Sequence, residues 1–313
     1  MPAKGEFMTT KEFSQVVWDE ETIDDCRQII RLAVREDLGQ GYDLTTLALV
    51  AHDARGIARV VSRESGVVAG LRPAELALVE MNTGTTWHSF VAEGDSVHPG
   101  QALAEVSGST RDILTAERLI LNLIGRMSGI ATLTRRYVDA VASTNAHIYD
   151  TRKTTPGWRR LEKYAVTCGG GHNHRTGLFD AVLIKDNHIA HAAHNVSRAI
   201  EQARDFLAKQ DDRDSSASAM IEVEVDTLKQ LQGALAAKPD IVLLDNMSYD
   251  ELRHAVAMRD ATDPAVELEA SGGINLQTVA DVAACGVDRI SVGALTHSAV
   301  SLDVGLDWAD VTS

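Results

Sequence analysis

The span 150–189 brings together Arg152, Lys153, Arg159, Arg160, Lys163, Arg175 and Lys185, with His172, His174 and His188. The whole chain carries a formal net charge of −15, so this local excess of cations points to an anionic ligand. Arginine forks match carboxylates and phosphates bidentately, and lysine supplies a point charge. Arg152, Lys153, Arg175 and Lys185 fall at strand ends or beside the run Gly169-Gly170-Gly171, which suits an anion site. Arg159, Arg160 and Lys163 sit in a helical stretch and fit a solvated basic face equally well. The three glycines allow a tight turn and close approach of backbone to a ligand. No Cys, Asp or Glu stands at ligand spacing from His172 and His174, so zinc is not expected. Hydrogen bonding toward an anionic ring substituent is the expected role for the histidines.

Two further turns, Ser271-Gly272-Gly273 and Val292-Gly293-Ala294, each follow a short apolar run. Glycine turns after late strands of a barrel expose backbone N–H groups to a phosphate. The acidic candidates are Glu222, Glu224 and Asp245. Alternate residues of a strand share a face, so Glu222 and Glu224 point together. Such carboxylates can hold ribose hydroxyls or magnesium, which prefers oxygen and keeps several waters. An ion pair from the acids to Lys153 or Lys185 is compatible with that role. No serine or cysteine stands in motif spacing with a base, so nucleophilic catalysis is not expected.

The elements that must position these groups divide the chain in two. Apolar residues at Ile23, Cys26, Ile29, Ile30, Ala33 and Val34 predict a helix over 23–38, stopped by Gly39 and Gly41. Stretches 50–68 and 85–106 alternate and predict short antiparallel strands. A helix follows over 112–144, with Leu114, Leu119, Leu121, Leu123 and Ile124 as apolar positions. From about residue 146 short apolar strands alternate with helical stretches: 147–150, 181–184, 221–225, 241–244, 266–269 and 289–292. That rhythm implies a parallel sheet and an α/β barrel. Chemistry in such barrels sits where strands end, and the polar candidates follow those strands. The turns Glu93-Gly94-Asp95 and Pro99-Gly100 suggest a carrier domain for lipoyl or biotinyl groups. No lysine lies between Lys11 and Lys153 to take the cofactor, so they read as structural turns.

With 313 residues and 44% hydrophobic content, the chain can build a sizeable core. No apolar run approaches the roughly 20 residues of a membrane helix. No basic-then-apolar N-terminal stretch suggests a secretory signal, and Met1–Phe7, ahead of Met8, reads as an appended leader outside the fold. The polar stretch 211–219 reads as a surface loop. The three cysteines, Cys26, Cys168 and Cys285, are far apart and predict a reducing cytoplasm. The acidic balance disfavours nucleic acid and anionic membranes.

Together these residues resemble the quinolinate phosphoribosyltransferase family over nearly the whole chain. The resemblance runs from Glu36-Asp37-Leu38-Gly39 and Asp43-Leu44-Thr45-Thr46 to Gly293–Ser298. Its most specific segments are Ala116-Glu117-Arg118, Leu121-Asn122, Ser128-Gly129-Ile130-Ala131, Thr151-Arg152-Lys153-Thr154, Gly169–Gly171 with His174-Arg175, and Leu183–His188. It implies a seven-stranded α/β barrel with an α/β N-terminal open-sandwich domain, the barrel over 128–298, the other domain over 12–127 with the tail 299–313 packed on it. It implies transfer of phosphoribosyl from phosphoribosyl pyrophosphate to quinolinate with loss of carbon dioxide, magnesium as cofactor, and a homodimer or higher oligomer with a shared site. Arg118 (from the neighbouring subunit), Arg152, His174, Arg175 and Lys185 would hold quinolinate. Lys153 would meet the pyrophosphate. Glu224 and Asp245 would hold ribose or magnesium waters, and with Lys153 and Lys185 form the catalytic set. Ser271, Gly272, Gly273, Gly293 and Ala294 would cradle the ribose phosphate. The rival readings are a phosphoribosyltransferase that takes nicotinate without decarboxylation, and an inactive phosphate-binding barrel. The former needs fewer cations than Arg118, Arg152, Arg175 and Lys185 supply.

Overall fold

The computed structural model describes residues 12–211 and 219–309. Met1–Phe7 and nearly all of the polar stretch 211–219 lie outside the described residues. Two compact units divide the chain: one holds residues up to Ser14, Val141–His147 and His174–Val292, the other Gln15–Ala140, Ile148–Asn173 and Gly293 onward.

In the second unit, α1 (Glu20–Leu38) starts where the Asp19 carboxylate accepts from Thr22 N–H at 2.9 Å, a side-chain cap on an otherwise orphaned donor. It ends at Gly39, whose φ of 58° suits glycine. Its inner face buries Cys26, Ile29 and Ile30. Asp43 caps α2 (Leu44–Leu49) in the same way. Strands β1 (Arg55–Ser62), β2 (Gly66–Val67), β3 (Thr86–Ser89), β4 (Ser96–Val97) and β5 (Ala102–Ser109) follow, interrupted by helix α3 (Leu71–Glu80). Sequence periodicity anticipates these strands but neither α2 nor α3. Strand β5 lies between β1 and β3, antiparallel to both. The carrier-like turn has a local purpose: Glu93 accepts from Gly70 and Arg72 N–H at 2.8 and 3.0 Å, closing the start of α3. Burial pushes that carboxyl upward.

Helix α4 (Thr110–Val141) runs unbroken for 32 residues. The barrel elements come next: β6 (His147–Tyr149), α5 (Arg159–Cys168), β7 (Ala181–Ile184), α6 (Asp186–His191), α7 (Val196–Asp211), β8 (Met220–Val225), α8 (Leu228–Ala237), β9 (Ile241–Asp245), α9 (Tyr249–Thr262), β10 (Glu267–Ser271), α10 (Val279–Ala283), β11 (Arg289–Ser291) and α11 (Ala294–His297). Strand β12 (Val304–Trp308) then returns antiparallel to β1, Val60 opposite Leu306.

The six-stranded sheet has the order β6-β11-β10-β9-β8-β7, parallel from β7 to β11. His147 joins it through its N–H to the Asp288 carbonyl at 2.9 Å. Val223, Val242, Leu244, Leu268 and Ile290 are fully buried, as expected of parallel strands covered on both faces. Capping boxes at Thr227/Gln230 and Ser248/Glu251 start α8 and α9. The parallel sheet is that of the expected α/β barrel, and the antiparallel sheet is separate from it. The position of a seventh strand is reduced to one parallel bridge, Tyr149 to His172.

Candidate active site

Four strand ends of the barrel unit carry the expected polar groups. Lys185 follows β7 and forms an ion pair with Glu224 on β8. Its backbone N–H also donates to His188 Nδ1 at 2.9 Å, which fixes the start of α6. Asp245 ends β9 directly opposite Ser271, the last residue of β10. Asn246, next in chain, sits at φ 53°, donates its N–H to the Ser271 carbonyl at 2.9 Å, and donates Nδ2–H to Asp245 at 2.7 Å. Gly272 and Gly273 follow with φ of 99° and 62°, a conformation that favours glycine. A Cβ at Gly272 would collide with the Asn246 side-chain oxygen and stand 2.9 Å from the Asn246 backbone nitrogen; at Gly273 it would meet nothing within 4 Å. The turn lines a small cavity of about 150 Å³ together with Tyr249 and Thr278.

Behind these ends, Glu222 is fully buried two residues before the half-buried Glu224. His174 Nε2 lies 2.9 Å from Glu222 and 3.6 Å from Glu269. The His174 ring stacks on Phe13 with centroids 4.4 Å apart. Its Nδ1 accepts from Arg175 N–H at 2.8 Å, and Arg175 donates Nη1–H to the Ala181 carbonyl at 3.2 Å. Both residues are buried. Glu269 was not among the expected site residues. Its signal was present: Glu267-Leu268-Glu269 repeats the acid–apolar–acid alternation of Glu222-Val223-Glu224. Burial, then the neighbouring Glu222 charge, push the Glu269 carboxyl up to about 7. Sequence spacing sets no acid near His174; the fold brings Glu222 and Glu269 to it.

The remaining candidates belong to the other unit. Arg118, on α4, is exposed and has no acidic partner among the described residues. It lines a cavity of about 540 Å³ with Asn122, Arg126, Thr155, Trp158 and Asp303. Arg152 is half-buried, and its buried Nε finds no acceptor among the described residues. The Lys153 carbonyl accepts from Thr296 Oγ1 at 2.9 Å. Gly293 has an ordinary φ of −64°. It is small for another reason: a Cβ there would stand 3.0 Å from Lys153 Cδ. Ala294 opens α11 beside it.

Three of the crowded cations are structural. Lys163 is fully buried in an ion pair with fully buried Asp150, and Asn173 Nδ2 donates to the same carboxylate at 2.7 Å. Arg160 pairs with Glu21 and Asp25. Arg159 donates to Thr154 Oγ1 at 3.0 Å. The run Gly169–Gly171 is also a packing feature. A Cβ at Gly169 would stand 2.5 Å from the Ala131 carbonyl and one at Gly171 2.7 Å from Thr134 Cγ2, so the glycines let this turn press against α4.

Comparison with known proteins adds to this geometry. The sequence model described as quinolinate phosphoribosyl transferase, C-terminal domain, matches residues 130–307, and that of the N-terminal domain matches 43–128. The chain is 46% identical over 288 residues to a nicotinate-nucleotide pyrophosphorylase (carboxylating) of Mycobacterium leprae, covering 91% of this chain and 97% of that one. It is 40% identical to a probable enzyme of the same name from Bacillus subtilis, covering 87% and 89%. A solved nicotinate-nucleotide pyrophosphorylase structure from Francisella tularensis superposes with a TM-score of 0.85 at 36% identity, covering 95% of this chain and 100% of that one.

Proposed function

The chain belongs to the quinolinate phosphoribosyltransferase family, and from that premise we propose that it transfers a phosphoribosyl group from phosphoribosyl pyrophosphate to quinolinate with loss of carbon dioxide. It is a transferase of NAD biosynthesis. The observation that supports this chemistry best is the row at the strand ends: the Lys185–Glu224 pair, then Asp245 opposite Ser271, then the glycine turn. Cation, carboxylates and glycine turn follow one another along the strand ends, which suits a pyridine acid held next to a sugar phosphate.

Quinolinate and the donor together bring two carboxylates and three phosphate groups. Arg118, Arg152, Arg175 and Lys185 answer the carboxylates, and Lys153 the pyrophosphate. His174 belongs to the quinolinate set. Ser271, Gly272, Gly273, Gly293 and Ala294 hold the ribose phosphate. As the C–O bond to pyrophosphate breaks, the sugar carbon gains oxocarbenium character, which Glu224 and Asp245 stabilise by charge. The ring nitrogen bonds to that carbon and becomes cationic. It then accepts the electron pair of the adjacent carbon–carboxylate bond as carbon dioxide leaves, and a proton takes the vacated ring position.

Magnesium fits this donor set. Glu224 has a carboxylate oxygen beyond the one facing Lys185, and Asp245 one beyond that bonded to Asn246. Oxygen ligands that leave room for waters suit a hard cation. When bound, it would neutralise charge on the leaving pyrophosphate.

We further propose a homodimer, or a larger assembly built from it, in which Arg118 completes the partner's site, and a cytoplasmic location in keeping with three free cysteines. The domain division at 127/128 is part of the same proposal; it falls inside α4. Incubating the protein with carboxyl-labelled quinolinate and phosphoribosyl pyrophosphate tests the activity. Equal release of labelled carbon dioxide and pyrophosphate is expected. Turnover of nicotinate with none of quinolinate would establish the non-decarboxylating reading, and no turnover of either the inactive barrel.

A further inference from the structure

We infer that Glu222 and Glu269 are positioning residues that fix the ring tautomer of His174 and, through that ring, the backbone of Arg175. The inference rests on the reading of Arg175 as a quinolinate ligand, and deepens it.

The geometry leaves His174 little freedom. Its Nδ1 accepts from the Arg175 N–H at 2.8 Å, so Nδ1 carries no proton and the ring proton sits on Nε2. Nε2 faces the Glu222 carboxylate at 2.9 Å, with Glu269 at 3.6 Å. Phe13 stacks on the ring face, the planes 28° apart. Reversing the tautomer would set a ring N–H against the Arg175 N–H and an Nε2 lone pair against the carboxylates. The ring thus accepts at Nδ1 and sets Nε2 close to the two carboxylates, although neither Glu222 oxygen completes a hydrogen bond. What it determines is where the Arg175 main chain lies, and hence where the guanidinium starts from.

The three residues are also the types that hold metal ions, and their ligand atoms lie within 4.8 Å of one another. The spacing is too short for a tetrahedral ion. Neighbouring ligand atoms around such an ion with bonds of about 2.1 Å stand about 3.4 Å apart, whereas Nε2 and the Glu222 oxygen are 2.9 Å apart. The charge balance agrees. Two carboxylates buried side by side are not both ionised cheaply, and burial together with Glu222 pushes Glu269 up to about 7. The buried cation Arg289, whose charge lowers the Glu269 carboxyl, also meets Glu267 and Glu12.

The test combines ring spectroscopy with binding. Long-range proton–nitrogen spectra of histidine-labelled protein, with the His174 signal identified by its loss in His174→Gln, read the tautomer directly. The wild-type ring should show Nε2–H. Glu222→Leu should lose that signature and weaken quinolinate binding, read by calorimetry, at least about tenfold, with KM for phosphoribosyl pyrophosphate unchanged. Glu222→Gln, which keeps an acceptor oxygen, should restore most of the affinity, and Glu269→Gln, which mimics the protonated acid, should keep all of it. A wild-type Nδ1–H ring overturns the inference without any variant, even if Glu222→Leu fails to fold. Stoichiometric metal in the purified protein, lost in Glu269→Gln, also overturns it. So does wild-type quinolinate affinity in folded Glu222→Leu when Arg175→Ala binds weakly. If Arg175→Ala itself binds normally, the assignment of Arg175 is what has failed, and the ring spectrum alone decides the tautomer.

Discussion

Replacing Gly272 with alanine tests the phosphate turn where its geometry is tightest, and Gly273→Ala supplies the control. Both glycines have positive φ, 99° and 62°, and an alanine in left-handed backbone costs about 1–2 kcal/mol. At Gly273 nothing else opposes the methyl group. At Gly272 the new Cβ would stand 2.6 Å from Asn246 Cγ and 2.9 Å from its backbone nitrogen. Asn246 cannot simply rotate away, because its amide is bonded to Asp245 and its N–H to Ser271. Such overpacking adds about 1–3 kcal/mol. Losing glycine's freedom in the unfolded chain returns about 0.4–1 kcal/mol to either variant. The net expectation is about 0–2 kcal/mol for Gly273→Ala and about 1–5 kcal/mol for Gly272→Ala. In thermal unfolding each kcal/mol shifts Tm by roughly 2–4 °C for a domain of this size. Steady-state kinetics should show KM for phosphoribosyl pyrophosphate raised more by Gly272→Ala than by Gly273→Ala, with quinolinate binding to the free enzyme intact in both. Equal Tm and equal KM in the two variants would refute the collision. Loss of quinolinate binding with an unaffected donor would reverse the placement of the two ligands.

Arg175→Ala or Arg152→Ala should each weaken quinolinate binding by at least an order of magnitude, since a charged hydrogen bond contributes about 1.5–3 kcal/mol; unchanged affinity by calorimetry removes the residue from the site. Mixed dimers of Arg118→Ala and Lys185→Ala, each inactive alone, should regain about half of wild-type activity per dimer, because a two-fold interface leaves one site with both defects and one with neither. No recovery, with mixed dimers confirmed by mass spectrometry, places Arg118 within its own subunit's site. Glu269, raised to about 7 in the fold from an ordinary 4.5, favours the folded state at low pH; that contribution is full below pH 4.5 and is lost as pH rises through about 7. Tm should therefore fall more between pH 5 and pH 8 in wild type than in Glu269→Gln, and parallel profiles would exclude a raised Glu269.

The barrel was legible because its strands are short apolar runs between polar steps. The runs expected at 181–184 and 241–244 correspond to β7 (Ala181–Ile184) and β9 (Ile241–Asp245). The polar residues at their ends were legible for the same reason, since Lys185, Asp245 and Ser271 interrupt patterns that burial would otherwise fill with valine. Helix α3 was not, because its run of leucine and alanine is apolar without a clear period, and its cap, Glu93, is distant in sequence. The crowd of cations misled in part. Charge counted along the chain cannot show that Asp150 and Asn173 enclose Lys163, or that Glu21 and Asp25 meet Arg160. Equally, no spacing rule brings Glu222 and Glu269 to His174, because that meeting is made by the sheet.

The enclosed Asp150–Lys163–Asn173 group also narrows the routes by which this sequence can change. Replacing Lys163 alone leaves a buried carboxylate without its counter-charge, and replacing Asp150 alone leaves a buried ammonium without its own; removing one partner of such a pair costs about 3–5 kcal/mol. That is a large share of the roughly 5–15 kcal/mol that holds a typical protein folded. An apolar trio of similar volume can pack as well, yet every single-step path toward it descends through a weakened intermediate. Neutral drift at these three positions is thus confined by a barrier of stability, whatever the enzyme's substrate demands of the residues nearby.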